Sequence, residues 1–529
     1  MASNFREAPE SEPASKKSEL SDPAYQREGL FDQDPELLKA ISYFATKIRS
    51  CPTDPKYPEE EPEALIVGGF VRDAMLRKKP KDADVEVYGI SVERLESFLD
   101  QLFEGRVNKI GRSFGIFKVD VGGGFDFDIS IPRRESKAAP GHKGFVVEGD
   151  PAMTPLEAAR RRDFTMNSIA ADILTGRVLD PYGGLDDLEN KVLRVTDPKS
   201  FQEDPLRVYR AMQFVGRMDL TVEEKSLKLM SEMVERGDLN ELAKERVTEE
   251  FKKLFLKAEK PSNGFELLRV LNIIELYYPE LGAMINTPQE PEWHPEGSAW
   301  THTLMSLDAA ARLIREESRE LSEEEKLEIM VGALCHDFGK PAVTSLLGGR
   351  VKSLGHEEAG IEPTKTFLSK FSFGECVVGA AEAIAAHHLK PNMLYRAREK
   401  GEMSDAQYIN AVRKLLKRIK PTSYKVLIAA SEADGRGRSL PDALTKKYET
   451  GTLFVETVEK QNLAAESQRP LVAGKDILEV AGRLGVAIKP GPLFGKIIKI
   501  IEGARDNGDI RDREEAIQRL EKVIKETAE

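Results

Sequence analysis

Cysteine, tryptophan and histidine are scarce in this chain of 529 residues, which contains three, two and seven of them respectively. The cysteines, at positions 51, 335 and 376, lie far apart and form no CxxC pair. This spacing argues against a disulfide framework and against a cysteine zinc site. The sequence has no apolar run near the length of a membrane span, and its N-terminus lacks the apolar stretch of a secretory signal. We therefore expect reduced thiols, a cytoplasmic location and no membrane partner.

The net charge of −12 does not exclude a nucleic-acid partner. What matters for such a partner is a local basic face, not the sum of charges. Two segments, "LKPNMLYRAREKG" and "VRKLLKRIKPTSYK", have the basic density needed to bind phosphates. A solvated lysine-rich surface accounts for them equally well.

Composition and periodicity divide the chain into five segments. Residues 1–34 are rich in Ser, Pro, Glu and Lys, which predicts a disordered tail. Residues 35–185 alternate apolar strands, glycine turns and helices, which predicts a mixed α/β unit. The periodicity is helical beyond it, with a proline-bearing boundary near 290. The expected fold class is α+β, with three all-helical segments at 186–290, 291–445 and 446–529.

An acidic strand follows the first glycine turn. In "KDADVEVYGI", residues 81–90, the alternation of a strand puts Asp82, Asp84 and Glu86 on one face. Such carboxylates repel one another, and a divalent metal would hold them together. A solvated acidic edge strand is the alternative. In "FDFDISI", Asp126 and Asp128 share a face of another strand, and Asp128 is the preferred third carboxylate.

The glycine pair Gly68–Gly69 sits between a predicted strand and a predicted helix. Backbone N–H groups in such a turn can approach an anion near the helix N-terminus. A plain tight turn is the alternative. The acidic face that follows within fifteen residues favours a phosphate, because magnesium bridges triphosphates to carboxylates.

Several motifs in fixed order carry a family resemblance. "GGFVRD" with "KDADVEVYG", then "RRRDFTMNSIA", "DPYGGLDDLENKVLR" and "EDPLRVYRAMQFVGR", resemble the class II nucleotidyltransferases, which include bacterial tRNA CCA-adding enzymes and poly(A) polymerases. The resemblance implies a palm-like head with Mg²⁺ on Asp82 and Asp84, and with Asp128 assisting the attacking 3′-hydroxyl. Two departures are Ser168, where the family usually has alanine, and "DVEVYG" in place of a form ending in Ala-Thr.

The same resemblance implies a set of nucleotide-binding residues. Gly68, Gly69 and Arg72 would hold the triphosphate. The residues expected around the nucleotide are Arg161, Arg162, Asp163 and Asn167. Those expected on a helix that imitates a template are Glu203, Asp204 and Arg207.

The template role has a physical basis in the spacing of two residues. Asp204 and Arg207 are i and i+3, which offers an acceptor beside a fork of donors on one helical face. Such a pair matches the Watson–Crick edges of cytosine and adenine and leaves buried partners unmatched for uracil and guanine. An ordinary helical salt bridge is the alternative.

Five of the seven histidines cluster between positions 302 and 388. With Asp337 and Asp434 they resemble the metal-binding HD phosphohydrolase domain, whose minimal ligands would be His302, His336, Asp337 and Asp434. His356 and either His387 or His388 match further ligand positions, and His387 enters the predicted ligand set. Imidazole and carboxylate ligands suit transition metals, and magnesium stays an alternative. We interpret His294 as structural and His142 as a loop residue.

A head of this class joined to an HD domain favours a CCA-adding enzyme over a poly(A) polymerase, because the bacterial poly(A) polymerases generally lack that domain. The predicted function is template-independent addition of C, C and A to the tRNA 3′ end from CTP and ATP, with a metal-dependent phosphohydrolase activity in the HD domain. One alternative is an enzyme that adds only adenosines. The other is an HD phosphohydrolase whose head senses nucleotides.

Overall fold

A computed structural model describes residues 35–78, 82–109, 115–122, 124–137, 145–441, 443–466, 471–507, 509–510 and 512–528. The predicted disordered tail, 1–34, and His142 lie outside these residues. The described chain forms two compact units. The first runs to Phe251 and includes Glu266–Ile273, and the second comprises Lys252–Phe265 and the chain from Ile274 onward. The predicted neck, 186–290, is therefore divided between them.

The first unit contains a sheet of seven strands among its described residues, in the order β3-β4-β5-β2-β1-β8-β9. Strands β2 and β5 are parallel neighbours, whereas the other adjacent pairs are antiparallel. A separate hairpin is formed by β6 and β7. The strands are β1 Glu63–Val67, β2 Asp82–Tyr88, β3 Val107–Asn108, β4 Ile116–Gly122, β5 Phe125–Ser130, β6 Arg133–Lys137, β7 Phe145–Gly149, β8 Ala170–Ala171 and β9 Val178–Leu179.

One face of this sheet is apolar and the other is charged. Ala83, Val85, Phe127 and Ile129 on the central strands β2 and β5 are buried. The ring of Phe44, on the helix Pro35–Arg49, lies 6.2 Å from that of Phe127. Because side chains alternate along a strand, the intervening acids point to the opposite face. The predicted mixed α/β head is confirmed.

Beyond the sheet the chain is mostly helical, as predicted. The helices of the first half are Pro35–Arg49, Gly69–Met75, Val92–Leu102, Pro155–Arg160, Gly184–Glu189, Pro198–Phe201, Leu206–Met218, Glu224–Glu235, Lys244–Lys257, Pro261–Val270, Ile273–Tyr277 and Pro279–Ile285. Those of the second half are Ala299–Leu313, Glu323–Cys335, Lys340–Val343, His356–Ala359, Ile361–Leu368, Glu375–His387, Lys390–Glu399, Asp405–Arg418, Tyr424–Arg436, Glu449–Lys460, Leu463–Glu466, Gly474–Arg483, Pro492–Asn507 and Arg513–Ala528. Short 3₁₀ turns occur at Thr165–Asn167, Asp238–Glu241 and Glu317–Arg319.

Two short strand pairs interrupt the helical remainder of the chain. Val192–Leu193 pairs in parallel with Thr221–Val222. Ser345–Leu347 and Arg350–Lys352 form a hairpin whose connecting residues, Gly348 and Gly349, both have positive φ. A two-residue turn of this kind requires φ > 0 at both positions, which glycine adopts without strain.

The last three helices share a core of their own. Ile477, Ile497, Ile501, Leu520 and Ile524 are buried together. This apolar packing accounts for the helical periodicity of the C-terminal segment. In the part of the chain that the structure describes, no helix combines the length and apolar character that a membrane crossing requires.

Candidate functional site

Two aspartates lie side by side on the charged face of the sheet. Strands β2 and β5 pair in register, so that Asp84 is opposite Asp128 and Asp82 is opposite Asp126. Neighbouring strands lie about 4.8 Å apart, and directly opposed residues share a face. The backbone therefore brings Asp84 and Asp128 together, as the sequence predicts for two of the three carboxylates. The side chain of Asp82 is outside the described part of the structure.

Glu86, the third acid of the strand, is bound by the protein itself. Its Oε1 accepts a hydrogen bond from Arg162 Nη2 at 2.7 Å, and its Oε2 accepts one from the Tyr88 hydroxyl at 2.8 Å. Burial, together with the Glu86 charge, raises the pKa of Tyr88 well above its usual value. The metal interpretation of the acidic face therefore applies to Asp82 and Asp84 and not to Glu86.

A cleft of about 660 Å³ opens on this face. Its lining includes three acids and five bases: Asp84, Glu86, Asp128, Lys118, Arg133, Arg161, Arg162 and Arg207. A ligand pocket for a small molecule has a volume of about 300–1,000 Å³. Adjacent carboxylates beside several guanidinium groups suit an anionic ligand that carries a hard cation.

The first glycine of the pair serves the turn and its neighbour Arg162. Gly68 has φ 65°, and a Cβ there would lie 2.6 Å from Arg162 Nη1. Its N–H donates to the Ile169 carbonyl at 3.1 Å, so this N–H is used within the protein. Gly69 begins the helix Gly69–Met75, where an added Cβ would meet only ordinary contacts.

We expect Gly68→Ala to lower the free energy of unfolding by about 1–2 kcal/mol, because an L-residue is strained at positive φ. The added methyl should also displace Arg162 and reduce nucleotide incorporation. Urea unfolding followed by circular dichroism, with an incorporation assay, measures both effects. Gly176→Ala is the matched control, since Gly176 has φ 71° and no neighbouring atom within 4 Å of the added Cβ. Equal incorporation by the two variants would contradict the proposed role of Arg162.

Arg72, Asn167 and Asp163 form a buried hydrogen-bonded chain. Arg72 Nη1 donates to Asn167 Oδ1 at 2.7 Å, and Asn167 Nδ2 donates to Asp163 Oδ1 at 2.9 Å. Arg210 Nε donates to the other oxygen of Asp163 at 2.7 Å. Burial raises the pKa of Asp163, but Arg210, Asn167 and Arg207 together outweigh it and leave the pKa below its usual value. The three predicted residues meet, and their direct contact with a nucleotide stays a prediction.

Sequence reasoning missed Arg210, Phe214 and Arg217, which lie beside the predicted Arg72. Arg72, Arg210 and Arg217 surround the ring of Phe214, with each guanidinium carbon 5.2–5.7 Å from the ring centroid. Positions 207, 210, 214 and 217 recur at helical spacing in "EDPLRVYRAMQFVGR". That spacing was the available signal.

The predicted selection helix begins later than expected. It spans Leu206–Met218, so Glu203 and Asp204 lie in the turn before it, and the prediction that all three residues are helical is wrong. The reason is Pro205, which has no N–H and occupies the helix start. Asp204 Oδ1 accepts from the Leu206 N–H at 3.2 Å, and Asp204 Oδ2 accepts from Arg246 Nη2 at 2.9 Å.

Arg207 is held by two backbone carbonyls. Its Nη1 donates to Ser200 O at 2.9 Å and its Nη2 to Arg161 O at 2.8 Å. Ser168, the departure from the family pattern, is accommodated because its hydroxyl donates to Phe164 O at 3.1 Å and lies 2.8 Å from Thr196 Oγ1.

A second site lies in the other unit, where four histidines converge. His302 Nε2 lies 3.4 Å from His336 Nε2 and 3.0 Å from Asp434 Oδ1. Asp337 lies 3.2 Å from His336 Nε2, 3.4 Å from His356 Nε2 and 3.9 Å from His388 Nε2. The residues come from the helices Ala299–Leu313 and Tyr424–Arg436 and from the ends of other helices.

The opposite ring nitrogen of each of these histidines is occupied. His336 Nδ1 lies 2.8 Å from Ala333 O, His356 Nδ1 lies 2.8 Å from Ser353 O, and His388 Nδ1 lies 3.1 Å from Ile384 O. A carbonyl only accepts, so each Nδ1 carries the proton and each Nε2 presents a lone pair to the cluster. Burial and the nearby His336 lower the pKa of His388 to about 3.

The cluster leaves buried polar atoms without hydrogen-bond partners. Among the described residues these atoms are Asp434 Oδ2 and His356 Nε2, whereas Asp337 Oδ2 lies 2.6 Å from Lys340 Nζ. Burial raises the pKa of Asp337, but His336 and Lys340 outweigh it and hold the pKa well below its usual value. Imidazole lone pairs and carboxylates that converge in a buried site are the donor set of a divalent metal, so these residues fit one.

The choice of His387 over His388 is wrong on geometric grounds. His388 is buried and directs Nε2 toward Asp337, whereas His387 is half-buried and belongs to none of the groups of converging ligand atoms among the described residues. Consecutive residues of a helix point about 100° apart, so only one of the two can face the cluster.

Sequence reasoning also missed three residues around this cluster. Glu296 Oε1 accepts from His302 Nδ1 at 2.9 Å. Lys340 Nζ lies 2.6 Å from Asp337 Oδ2. Gly339 lets the chain pass His356, because a Cβ there would lie 2.0 Å from the His356 carbonyl oxygen. Gly339 and Lys340 could have been found, because they directly follow the predicted ligands His336 and Asp337 in "CHDFGKPA". Glu296 lies in a segment that was interpreted as a domain boundary.

Three family models match the chain. The poly A polymerase head domain matches residues 64–194, the probable RNA and SrmB-binding site of polymerase A matches 219–285, and the HD domain matches 299–424. The first covers the charged face and the lining of its cleft except Arg207, and the third covers the four converging histidines but not Asp434.

Relatives that are about one third identical align with most of the chain. The multifunctional CCA protein of Stenotrophomonas maltophilia (strain K279a) is 34% identical over 378 residues, which is 70% of this chain and 86% of the relative. That of Mannheimia succiniciproducens is 32% identical over 380 residues, which is 71% of this chain and 84% of the relative.

Solved structures share the fold at lower identity. The Bacillus stearothermophilus CCA-adding enzyme in complex with CTP has a TM-score of 0.57 and 18% identity, and the match covers 93% of this chain and 99% of that one. The Thermotoga maritima CCA-adding enzyme complexed with tRNA has a TM-score of 0.53 and 19% identity, with 93% and 96% covered. The chain therefore belongs to the family of multifunctional CCA proteins, the CCA-adding nucleotidyltransferases, and carries an HD domain.

Proposed function

We propose that this protein adds C, C and A to the 3′ end of tRNA from CTP and ATP and releases pyrophosphate. The observation that carries the proposal is the in-register pair Asp84–Asp128 at the floor of a cleft lined by Arg161, Arg162 and Arg207. The names of its relatives and the CTP and tRNA bound to its structural neighbours support it.

Asp82 and Asp84 would hold Mg²⁺, because carboxylate oxygens are its preferred ligands. The bound ion would reduce the charge barrier of phosphoryl-type transfer and steady the leaving pyrophosphate. Asp128 lies beside Asp84, where it can orient the attacking 3′-hydroxyl of the RNA. The arginines of the cleft bind the triphosphate by charge-assisted hydrogen bonds.

Incorporation of labelled CTP and ATP, separately and together, tests the proposal on tRNA transcripts that end at the discriminator base, at C and at CC. Addition that stops after C, C and A would support it. Long adenosine tails would indicate a poly(A) polymerase, and adenosine added only to the CC-ended RNA would indicate an enzyme of partial function.

Selection of C and A is assigned to Asp204 and Arg207. An acceptor and a donor presented together match cytosine and adenine edges and leave uracil and guanine with unpaired groups. Arg246 adds a feature that the sequence did not predict, because its guanidinium binds both oxygens of Asp204, at 3.3 and 2.9 Å. Arg246 thus holds the Asp204 carboxylate, the proposed acceptor, in place just before the helix begins at Leu206.

We expect Arg246→Gln to reduce discrimination of CTP and ATP against UTP and GTP by about tenfold, because a hydrogen bond to a charged group contributes about 1.5–3 kcal/mol. Values of kcat/KM for the four nucleotides measure this effect. Arg269→Gln, which removes an exposed ion pair with Glu266, is the control. If both variants discriminate like the unaltered protein, Arg246 does not position Asp204 for selection.

We also propose a metal-dependent phosphohydrolase activity in the HD domain. The converging Nε2 atoms of four histidines and the buried carboxylates of Asp337 and Asp434 beside them support this second site. Transition metals suit imidazole-rich sites, and magnesium is the alternative. Hydrolysis of p-nitrophenyl phosphate and its bis ester, with each metal added separately, tests for the activity.

A further inference from the structure

The segment between Pro288 and Ser298 acts as a strap beside the histidine cluster. Pro288 and Ser298 pair as an isolated antiparallel bridge, and the Gln289 N–H donates to Gly297 O at 3.0 Å. Gln289 Oε1 accepts from Lys340 Nζ at 2.5 Å, and Lys340 in turn pairs with Asp337. A segment that looked like a domain boundary is therefore tied to the predicted metal ligands.

Glu296 is the residue of this strap that reaches His302. Its side chain is only 1% exposed. Its Oε1 lies 2.9 Å from both His302 Nδ1 and His294 Nδ1. Its Oε2 accepts from the Ser439 N–H at 3.2 Å, five residues after Asp434. Contacts with His302, His294 and Ser439 thus hold the Glu296 carboxylate in one orientation.

His302 differs from the other converging histidines in the group that accepts from Nδ1. His336, His356 and His388 each use a backbone carbonyl, whereas His302 uses the Glu296 carboxylate. A carboxylate on the distal nitrogen fixes the tautomer and the ring plane and makes the other nitrogen a stronger donor to a metal. Glu296 thus supplies what a backbone carbonyl cannot, a full negative charge behind the ligand.

We propose that Glu296 is a positioning residue for the divalent metal of the HD domain and that it acts by directing His302 Nε2 toward the metal. This inference rests on the proposed metal-dependent function of that domain. It extends the site from its direct ligands to the strap, and it gives His294 a role as the second donor that anchors Glu296.

Titration of the full-length protein with Co²⁺, followed by visible absorption of the imidazole-bound ion, tests the inference. We expect Glu296→Gln to weaken Co²⁺ affinity by about 10–100-fold, the usual effect of removing such a partner. Glu292→Gln is the matched control, because Glu292 lies in the same strap and forms an exposed ion pair with Arg350 at 2.9 Å. It should bind Co²⁺ as the unaltered protein does.

A second readout separates positioning from a folding defect. In the Co²⁺ protein, proton NMR should show hyperfine-shifted, exchangeable Nδ1–H signals, and the signal of His302 should move in Glu296→Gln at saturating Co²⁺ while those of the other ligands stay. Equal affinity and an unmoved signal in this variant would overturn the inference. If the unaltered protein shows no imidazole-bound Co²⁺, the proposed metal site itself fails, which is a distinguishable result.

Discussion

Asp128→Asn should lower the rate of nucleotide addition by about three orders of magnitude. Asp128 lies opposite Asp84 on the charged face. Under the proposed function, its loss removes a carboxylate from the place where charge develops during transfer. Electrostatic effects of several kcal/mol correspond to about this factor in rate. Single-turnover incorporation of CTP into a tRNA transcript measures the effect, because it separates chemistry from product release.

Asp126→Asn is the matched control for this substitution. Asp126 lies on the same strand and the same face, one row away, and pairs with Lys118 at 3.0 Å. Partly exposed ion pairs contribute little to stability, so this variant should stay folded. A loss of rate in Asp126→Asn as large as that in Asp128→Asn would assign the effect to the charge of the whole face and not to the Asp84–Asp128 row.

His336→Ala should reduce phosphohydrolase activity by more than about 100-fold while nucleotide addition stays unchanged. His336 Nε2 faces both His302 and Asp337, so its loss opens the centre of the cluster. Loss of partners that only orient such ligands already costs about 10–100-fold. Both activities should be assayed on the same preparation, with bound metal measured by elemental analysis.

His387→Ala is the control, because His387 is half-buried and lies outside the group of converging ligand atoms in the described residues.

The reciprocal variant, Asp82→Ala, should abolish nucleotide addition and spare the phosphohydrolase. Loss of both activities together in either folded variant would show that the two sites are not independent.

The acidic strand shows what alternation along a sequence can and cannot predict. Because side chains alternate with a period of two residues along a strand, the sequence placed Asp84 on one face and the buried Ala83 and Val85 on the other. It could not show that Glu86 pairs with Arg162, which is 76 residues away in the chain. A non-local partner leaves no trace in the local pattern, so the alternation placed Glu86 on the acidic face with Asp82 and Asp84 without revealing its ion pair.

The histidine pair carried a local signal that went unused. Val377, Ala380, Ala381 and Ile384 form the buried stripe of the helix Glu375–His387. Continuing that stripe by four residues leads to His388 and not to His387.

The hairpin in the same domain also had a local signal. "LLGGRVK" contains the Gly-Gly turn of a two-residue hairpin, which the prediction of a helical domain did not take into account.

Glu296 had no such signal. Its partners His302 and Ser439 are brought to it by a strap whose sequence, "PEWHPEGS", resembles an ordinary loop. Proline and glycine indicate where a helix stops, but they do not indicate which side chain turns inward. The helices of this domain were therefore more predictable than the loop that completes its site.

The in-register pairing of β2 and β5 makes the spacing of Asp84 and Asp128 a property of the backbone, set by interstrand hydrogen bonds. A slip of one residue would turn every side chain of a strand to the other face and bring Ala83 or Phe127 into the cleft. The apolar residues on the opposite face oppose such a slip, so the proposed alignment of Asp84 and Asp128 depends on side chains that face away from the cleft. Variants beneath the sheet should thus fail in activity before they fail in folding.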